Sequence, residues 1–412
     1  MDERKLEKLA VSLGTPSYIF DTDVLKARAA WVAESLRPAG ICFAIKANPF
    51  LIGALDAHVD RYEVCSPGEF HICVQNGLSM DKVVLSGVNK EYEDVRYAME
   101  QGVVHYTAES RNQCELVDRC ARELGKQVEI LLRVTSGNQF GMSETDVTEL
   151  IRKRAEFPGL RMAGLQYFSG TQKKAVKKIA AEAAYMEDLI QRLEEEEGFT
   201  TRVLEFGPGL GVPYFTKDDP EEDKKLLAEF AELFREKRPY RVIFEMGRFL
   251  AASCGYYATR IVDQKKNDAV NVCIVDGGIH HVNYYGQNMA MKTPVLSFFP
   301  QHPSEQKEDE WTVYGSLCTV ADILLKKLRL LDARVGDYLV FHNIGAYSVT
   351  EGIYLFLSRR MPKVWLYSEA EGARLQRDGL ETWTWNTRRE EERGGMEDGS
   401  VDGSADGIKA GD

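Results

Sequence analysis

Between Gly40 and Leu250 the chain repeats one pattern eight times: a short apolar or β-branched run, then a longer connecting stretch. The runs are residues 41–45, 62–65, 83–85, 104–107, 128–134, 162–168, 203–206 and 242–246. Among the connecting stretches, residues 91–101, 111–124, 173–197 and 220–237 are charged on one face and apolar on the other, as surface helices are. Eight strands alternating with helices predict an α/β fold, a (β/α)8 TIM barrel. Functional groups in that architecture collect where strands end, at the C-terminal face.

After Ala251 the pattern changes. Strand-like runs at 256–263, 270–276, 312–315, 338–341 and 364–367 follow one another without long helices, which predicts a mostly β second domain. The segment 17–21 is also strand-like. The expected division is a barrel over 24–251 and a β domain over 252–369, the latter joined by an N-terminal strand within 15–23. Residues 370–412 are acidic and rich in Gly, Asp and Glu, and are expected to form a disordered tail. A chain of 412 residues with 44% hydrophobic content has the length for two such cores.

No apolar run approaches the about 20 residues that cross a bilayer, and the opening MDERKLEKLAVSLG is charged rather than signal-like. A cytoplasmic protein without a membrane contact is expected. The net charge of −12 argues against a nucleic-acid partner, since phosphate binding needs clustered cations. The eight cysteines, at 42, 65, 73, 114, 120, 254, 273 and 318, contain no C-x-x-C pair, so reduced thiols are expected and no metal site.

Three strand ends carry chemistry. Lys46 follows the first barrel strand in GICFAIKAN, where a desolvated amine is less basic and suited to binding a carbonyl group covalently; a salt-bridged surface lysine is the alternative. Gly207, Gly209 and Gly211 follow the seventh strand in LEFGPGLG and let backbone N–H groups approach an anion, or else form a bare turn. Glu245 ends the eighth strand in VIFEMGR, followed by Gly247 and Arg248, with a Glu245–Arg248 ion pair as the alternative.

AIKAN, FGPGLG, EMGR, GSLCTVAD and VGDYLVFHNIGAY occur in that order. Together they resemble the fold-type III decarboxylases that use pyridoxal 5'-phosphate, the family of diaminopimelate, ornithine and arginine decarboxylases, over residues 15–367. The resemblance implies pyridoxal phosphate as cofactor, Lys46 as its Schiff-base lysine and Glu245 as partner of its pyridine nitrogen. It also implies a phosphate site made by Gly207, Gly209, Gly211, Gly247, Arg248 and Tyr347, although Pro208 stands where the family has a glycine and offers no N–H. Cys318 matches a cysteine that a neighbouring subunit contributes to protonate Cα after carbon dioxide leaves, so a homodimer with shared sites is implied.

Departures from the family concern the substrate. Phe168 stands where diaminopimelate decarboxylases have a histidine stacked on the cofactor, and can stack without donating a hydrogen bond. Thr319 replaces the acid after the cysteine that grips a substrate's distal ammonium, leaving Asp322 as the remaining carboxylate. The arginine expected after Asp276-Gly277-Gly278 is absent, and His280 and His281 follow instead. Read as neighbours on a strand, these two histidines point to opposite faces, so they cannot share a metal and one of them faces the site. These features resemble a branch that includes the glutamyl–carrier-protein decarboxylase of butirosin biosynthesis and decarboxylases of exosortase loci. The implied reaction is α-decarboxylation of an L-amino acid or of its thioester on an acyl-carrier protein. Racemisation on the same fold, a non-catalytic cofactor carrier and an inactive regulatory homologue are the competing readings.

Overall fold

The structure, a computed structural model, describes residues 1–286, 290–303 and 307–387 of the 412-residue chain. Strand β1 (Ser17–Asp21) precedes a closed parallel barrel of eight strands. These are β2 (Gly40–Ala44), β3 (Arg61–Val64), β4 (Val83–Leu85), β5 (His105–Ala108), β6 (Val128–Val134), β7 (Leu160–Phe168), β8 (Val203–Gly207) and β9 (Arg241–Met246). β9 returns to β2 from Gly40↔Ile243 to Phe43↔Met246, so no strand edge is left open.

Local chemistry starts the helices. Ser66, Ser110 and Ser143 each accept the backbone N–H three residues ahead, at 3.2, 3.2 and 3.1 Å, and so turn the chain into helices Pro67–Gln75, Arg111–Glu123 and Glu144–Arg152.

Alternation along the strands sorts the interior from the helix layer. Leu204 and Phe206 of β8 join the large apolar core beneath the helices, whereas Val203 joins a separate cluster inside the barrel with Cys42, Leu131, Ala163 and Ile243. The inward positions that follow Val203 and Ile243 are Glu205 and Glu245. With Arg61 and Glu63 of β3 and Gln166 of β7 they make the interior polar toward the mouth, and all five are buried.

The second sheet is formed by β1 and by β10 (Gly255–Asn267), β11 (Val270–Val275), β12 (Leu296–Phe299), β13 (Glu308–Tyr314), β14 (Ile323–Leu331), β15 (Tyr338–Phe341), β16 (Lys363–Ser368) and β17 (Gly372–Arg377). Its order is β14-β13-β11-β10-β1-β16-β17, with β15 pairing both β10 and β12. β1 lies antiparallel to β10 and parallel to β16.

Strands β12, β14 and β17 add to the sequence expectation. In β14, ILLKKLRLL does not alternate, because the four residues Leu325 to Leu328 lie opposite the three from Trp311 to Val313 and Lys327 takes a φ of 55°. β17 corrects the start of the expected tail: it pairs with β16, covering an edge that would otherwise lie open, and a turn at Thr382–Trp385 follows. The rest of that expectation, residues 388–412, lies outside the described residues. Among the described residues no helix is long and apolar enough to cross a membrane.

The barrel and the second sheet meet at a close backbone crossing. Gly345 N donates to Ala252 O at 3.0 Å and Asn48 Nδ2 donates to Gly345 O at 2.9 Å. A Cβ on Gly345 would lie 1.9 Å from Ala251 O. Gly345→Ala is therefore expected to cost about 1–3 kcal/mol of stability, read from urea denaturation; an unchanged midpoint would mean that the crossing yields without strain.

Candidate active site

β2 ends at Ala44, and the turn Ile45–Ala47 carries Lys46 into the barrel mouth. Its Nζ lies 2.6 Å from Glu63 Oε2, 3.8 Å from Glu245 Oε1 and 3.6 Å from Cys65 Sγ. Strand register brings these groups together, since Ala44 pairs with Glu63 across β2–β3 and Cys42 with Glu245 across β2–β9. The Lys46 side chain is 40% exposed while the two carboxylates are 3% and 6% exposed, so the amine is the open end of a closed cluster.

Burial by itself would loosen the proton of Lys46, but Glu63, Cys65 and Glu245 outweigh it and hold the ammonium well above the usual lysine range. This corrects the expectation of a weakly basic amine. Burial opposes ionisation of Glu63 as well, yet Lys46 reverses the balance and keeps it below the usual carboxylate range. Glu245 goes the other way: burial, then repulsion from Glu63, push it up to about 8. Gln166 Nε2 donates to Glu245 Oε2 at 3.0 Å. Deeper still, Glu205 has no exposed surface and neither oxygen has a hydrogen-bond partner; Arg61 Nη1 stands 3.5 Å away, and burial pushes the acid up to about 7. The alternative Glu245–Arg248 ion pair is not formed, because Arg248 Nη1 donates to Tyr214 Oη at 2.8 Å.

The glycine-rich loop after β8 packs closely on the end of β7. A Cβ on Gly207 would lie 2.5 Å from the Phe168 ring, one on Gly209 (φ 62°) 1.9 Å from Gly170 O, and one on Gly211 3.2 Å from Lys173 O. Gln172 staples the two loops, donating to Val212 O at 3.2 Å and accepting from Val212 N at 2.7 Å. Gly247, after β9, faces Ala47 and the Tyr347 hydroxyl; its missing Cβ would sit 3.0 Å from Ala47 Cβ and 3.4 Å from Tyr347 Oη. Arg248 is buried with its Cζ 4.3 Å from the Tyr347 ring centroid, and its Nε has no partner. Tyr347 N donates to Ala47 O at 2.7 Å and Thr350 Oγ1 to Lys46 O at 3.0 Å, so the second sheet's loop clasps the lysine turn.

The remaining candidates lie on the second sheet. Cys318 is exposed and Thr319 half-buried, on the loop between β13 and β14. Asp322 is not the free carboxylate expected from the sequence. It is buried, and Ile279 N and Leu317 N each donate to it at 2.7 Å, bracing the Cys318 loop against the Gly277–Ile279 turn. The histidine expectation is corrected too: β11 has already ended, His281 N and Val282 N both donate to Gly278 O, and in this turn the two rings lie with centroids 3.7 Å apart instead of diverging. Both are buried; His281 Nδ1 meets Tyr257 Oη at 2.8 Å, while neither nitrogen of His280 has a partner. No group of three or more metal-ligating side chains occurs among the described residues.

Residues 22–252 match the sequence family described as "Pyridoxal-dependent decarboxylase, pyridoxal binding domain". The chain belongs to the pyridoxal-dependent decarboxylases. It is 26% identical to a diaminopimelate decarboxylase of Zymomonas mobilis, over 85% of this chain and 87% of the relative. It is 24% identical to the L-glutamyl-[BtrI acyl-carrier protein] decarboxylase of Niallia circulans, over 88% and 91%. The solved structure of the diaminopimelate decarboxylase from Helicobacter pylori complexed with L-lysine shares the fold, with a TM-score of 0.80 at 22% identity, covering 94% of this chain and 100% of that one.

The cofactor of these decarboxylases is pyridoxal phosphate, and the residues present fit it. The buried guanidinium of Arg248, with an unpartnered Nε, directly follows Gly247, whose missing Cβ leaves space below the Tyr347 hydroxyl, and the barrel mouth adds an open lysine amine and a buried carboxyl. Sequence reasoning missed Glu63, Glu205, Arg61 and Gln166. The two acids had a signal, one glutamate inside a short strand, in RYEV and VLEFG as in RVIFEM.

The neutral histidines make stability depend on pH. Burial lowers His280 from 6.5 to about 4, so below pH 6.5 the unfolded chain binds its proton first; this contribution is intact above that pH and is lost progressively toward pH 4. The urea midpoint is expected to fall over that window, and less steeply in His280→Gln; parallel slopes would exclude His280 as the cause.

Proposed function

We propose that the protein removes the α-carboxylate of an L-amino acid, presented free or as a thioester on an acyl-carrier protein, using pyridoxal phosphate. The carrying observation is the Lys46–Glu63–Glu245 cluster at the mouth of a barrel that belongs to the pyridoxal-dependent decarboxylases. The diaminopimelate and glutamyl–carrier-protein relatives support an amino-acid substrate, and the second of them supports the tethered form. Racemisation and an inactive homologue are not favoured by the family assignment.

Bound pyridoxal phosphate supplies the electron sink for the pair left on Cα when the carboxylate departs. Lys46 would hold the cofactor and yield it to the substrate's α-amine, with Glu63 balancing the ammonium charge once the amine is free. Glu245, fixed by Gln166, would face the pyridine nitrogen. The backbone at Gly207, Gly209, Gly211 and Gly247, with Arg248 and the Tyr347 hydroxyl, would hold the phosphate, and Phe168 would pack on the ring face. Cys318, exposed on its loop, would come from a second copy of the chain and deliver a proton to Cα.

A cytoplasmic homodimer with shared sites is the assembly proposed. Apolar side chains left exposed near Cys318 and beyond Tyr347, namely Val320, Ile353, Leu355, Phe356 and Leu357, support such a contact, and eight free cysteines suit a reducing compartment. On the substrate side, Thr319 is the polar neighbour of Cys318, while the oxygens of Asp322 are taken and His280 and His281 are enclosed. A substrate without a distal ammonium fits this loop.

Two measurements test the reading. The protein reconstituted with pyridoxal phosphate is expected to release carbon dioxide from neutral or acidic amino acids or their carrier-protein thioesters, with little release from lysine, ornithine or diaminopimelate; no release from any of them would refute it. Mixing inactive Lys46→Ala with inactive Cys318→Ala protein should restore about a quarter of the activity, because half of the random dimers carry one intact shared site. No recovery would place both residues in the same subunit's site.

A further inference from the structure

Three glutamates share the barrel interior with two cations, and one carboxyl has no visible purpose in the reading above. Glu205 is fully buried, and neither of its oxygens has a hydrogen-bond partner. A bare carboxylate there would be costly, and charge pairing does not resolve it. Lys46 is engaged by Glu63 at 2.6 Å. Arg61 is divided between Glu205 at 3.5 Å, Glu129 at 4.0 Å and His105 Nδ1 at 3.3 Å.

A second orphan lies alongside. Gln166 pairs laterally with Glu205 across β7–β8, and its Oε1 is buried without a donor while its Nε2 donates to Glu245 Oε2. Side chains at laterally paired strand positions have Cβ atoms about 5 Å apart, close enough to bond after a small rotation. An amide oxygen can only accept, so the bond that satisfies both orphans needs a proton on Glu205.

We propose that Glu205, Gln166 and Glu245 form a relay that holds one proton on one of its two carboxyls. With the proton on Glu205, the Gln166 oxygen accepts from it and the Gln166 amide donates to Glu245 as a carboxylate. With Glu205 ionised, the amide reverses, its nitrogen serves Glu205, and its oxygen needs a protonated Glu245. Glu205 is thus a positioning residue acting through Gln166. The proposal rests on the reading in which Glu245 faces the pyridine nitrogen: without that cation Glu245 holds the proton more tightly than Glu205 does, and a protonated pyridine nitrogen beside Glu245 favours its anion and leaves the stored proton to Glu205.

The groups around Glu205 agree with this. Glu63 on β3 and Glu245 on β9 oppose its ionisation, Arg61 on β3 and Lys46 beyond β2 favour it, and Cys42 on β2 and Gln166 on β7 are uncharged neighbours. Raising the pH through the titration of Glu205 places a second negative charge behind Glu245. The nearer carboxylate feels it most, so the ion pair with the pyridine nitrogen weakens on the alkaline side.

The test uses the absorbance of the bound cofactor against pH in the reconstituted protein. Glu205→Gln keeps the shape and both hydrogen-bonding functions but cannot ionise; it is expected to remove one inflection or to move it by at least about one pH unit. Superimposable curves for wild type and variant would overturn the proposal. If the glutamine variant does not fold, Glu205→Asp should shift the same inflection, and an unshifted curve counts equally against it. Infrared spectra of the apoprotein against pH give a check that needs no cofactor: Glu205→Gln is expected to shift or weaken the protonated-carboxyl band that the Glu205–Glu245 pair shares, and a spectrum that the substitution leaves intact refutes the relay. A protein that passes these tests yet releases no carbon dioxide would leave the relay standing and the proposed reaction refuted.

Discussion

The barrel mouth depends on holding a lysine ammonium that is open to solvent on one side against a glutamate carboxylate that is buried. Desolvating that carboxylate costs several kcal/mol, which the ammonium offsets only where the geometry is fixed beforehand. The closed barrel supplies that fixity: Lys46 and Glu63 extend from adjacent hydrogen-bonded strands, and their 2.6 Å contact follows from a register that cannot slip without turning every inward residue outward. Glu245 reaches the same point from the other neighbouring strand. A lysine in the same place with one flanking acid would be a pair; with two it becomes a cluster whose protons are unevenly held.

The second sheet completes this arrangement without entering the barrel. Its loop from Ile344 to Thr350 bonds to the backbone at Gly255, Ala252, Ala47 and Lys46, so the lysine turn is gripped from outside while its side chain stays open. Tyr347 adopts a φ of 70° to make this possible, and its hydroxyl lies over Gly247, whose lack of a side chain leaves the space. Glycine at 247 and the strained tyrosine are two sides of one fit.

The sequence carried the barrel because its strands are short runs that helices separate, a pattern little else produces. It carried the second sheet less completely, since β14 hides a bulge at Lys327 and β17 is a polar strand defined by the edge it covers. Within the site, Lys46 and Glu245 could be read from strand ends, and the rule that found Glu245 applied equally to Glu63 and Glu205. Asp322 and the histidines were misread for another reason. Their partners, Ile279, Leu317 and Tyr257, come through tertiary turns, and no local spacing reports which backbone N–H a carboxylate will capture.

The barrel cluster and the Cys318 loop therefore sit in different physical settings. The ionisable groups of the barrel are packed and interdependent, so changing one charge disturbs the proton held by the next. The loop bearing Cys318 and Thr319 is exposed at its tip and anchored at its base by Asp322, whose two bonds fix the loop's position whatever residues the tip carries. Thr319 lies outside the buried network, so a different side chain at that position leaves the barrel's charges undisturbed. Changing the residues at the tip then leaves the charge cluster of the barrel as it is.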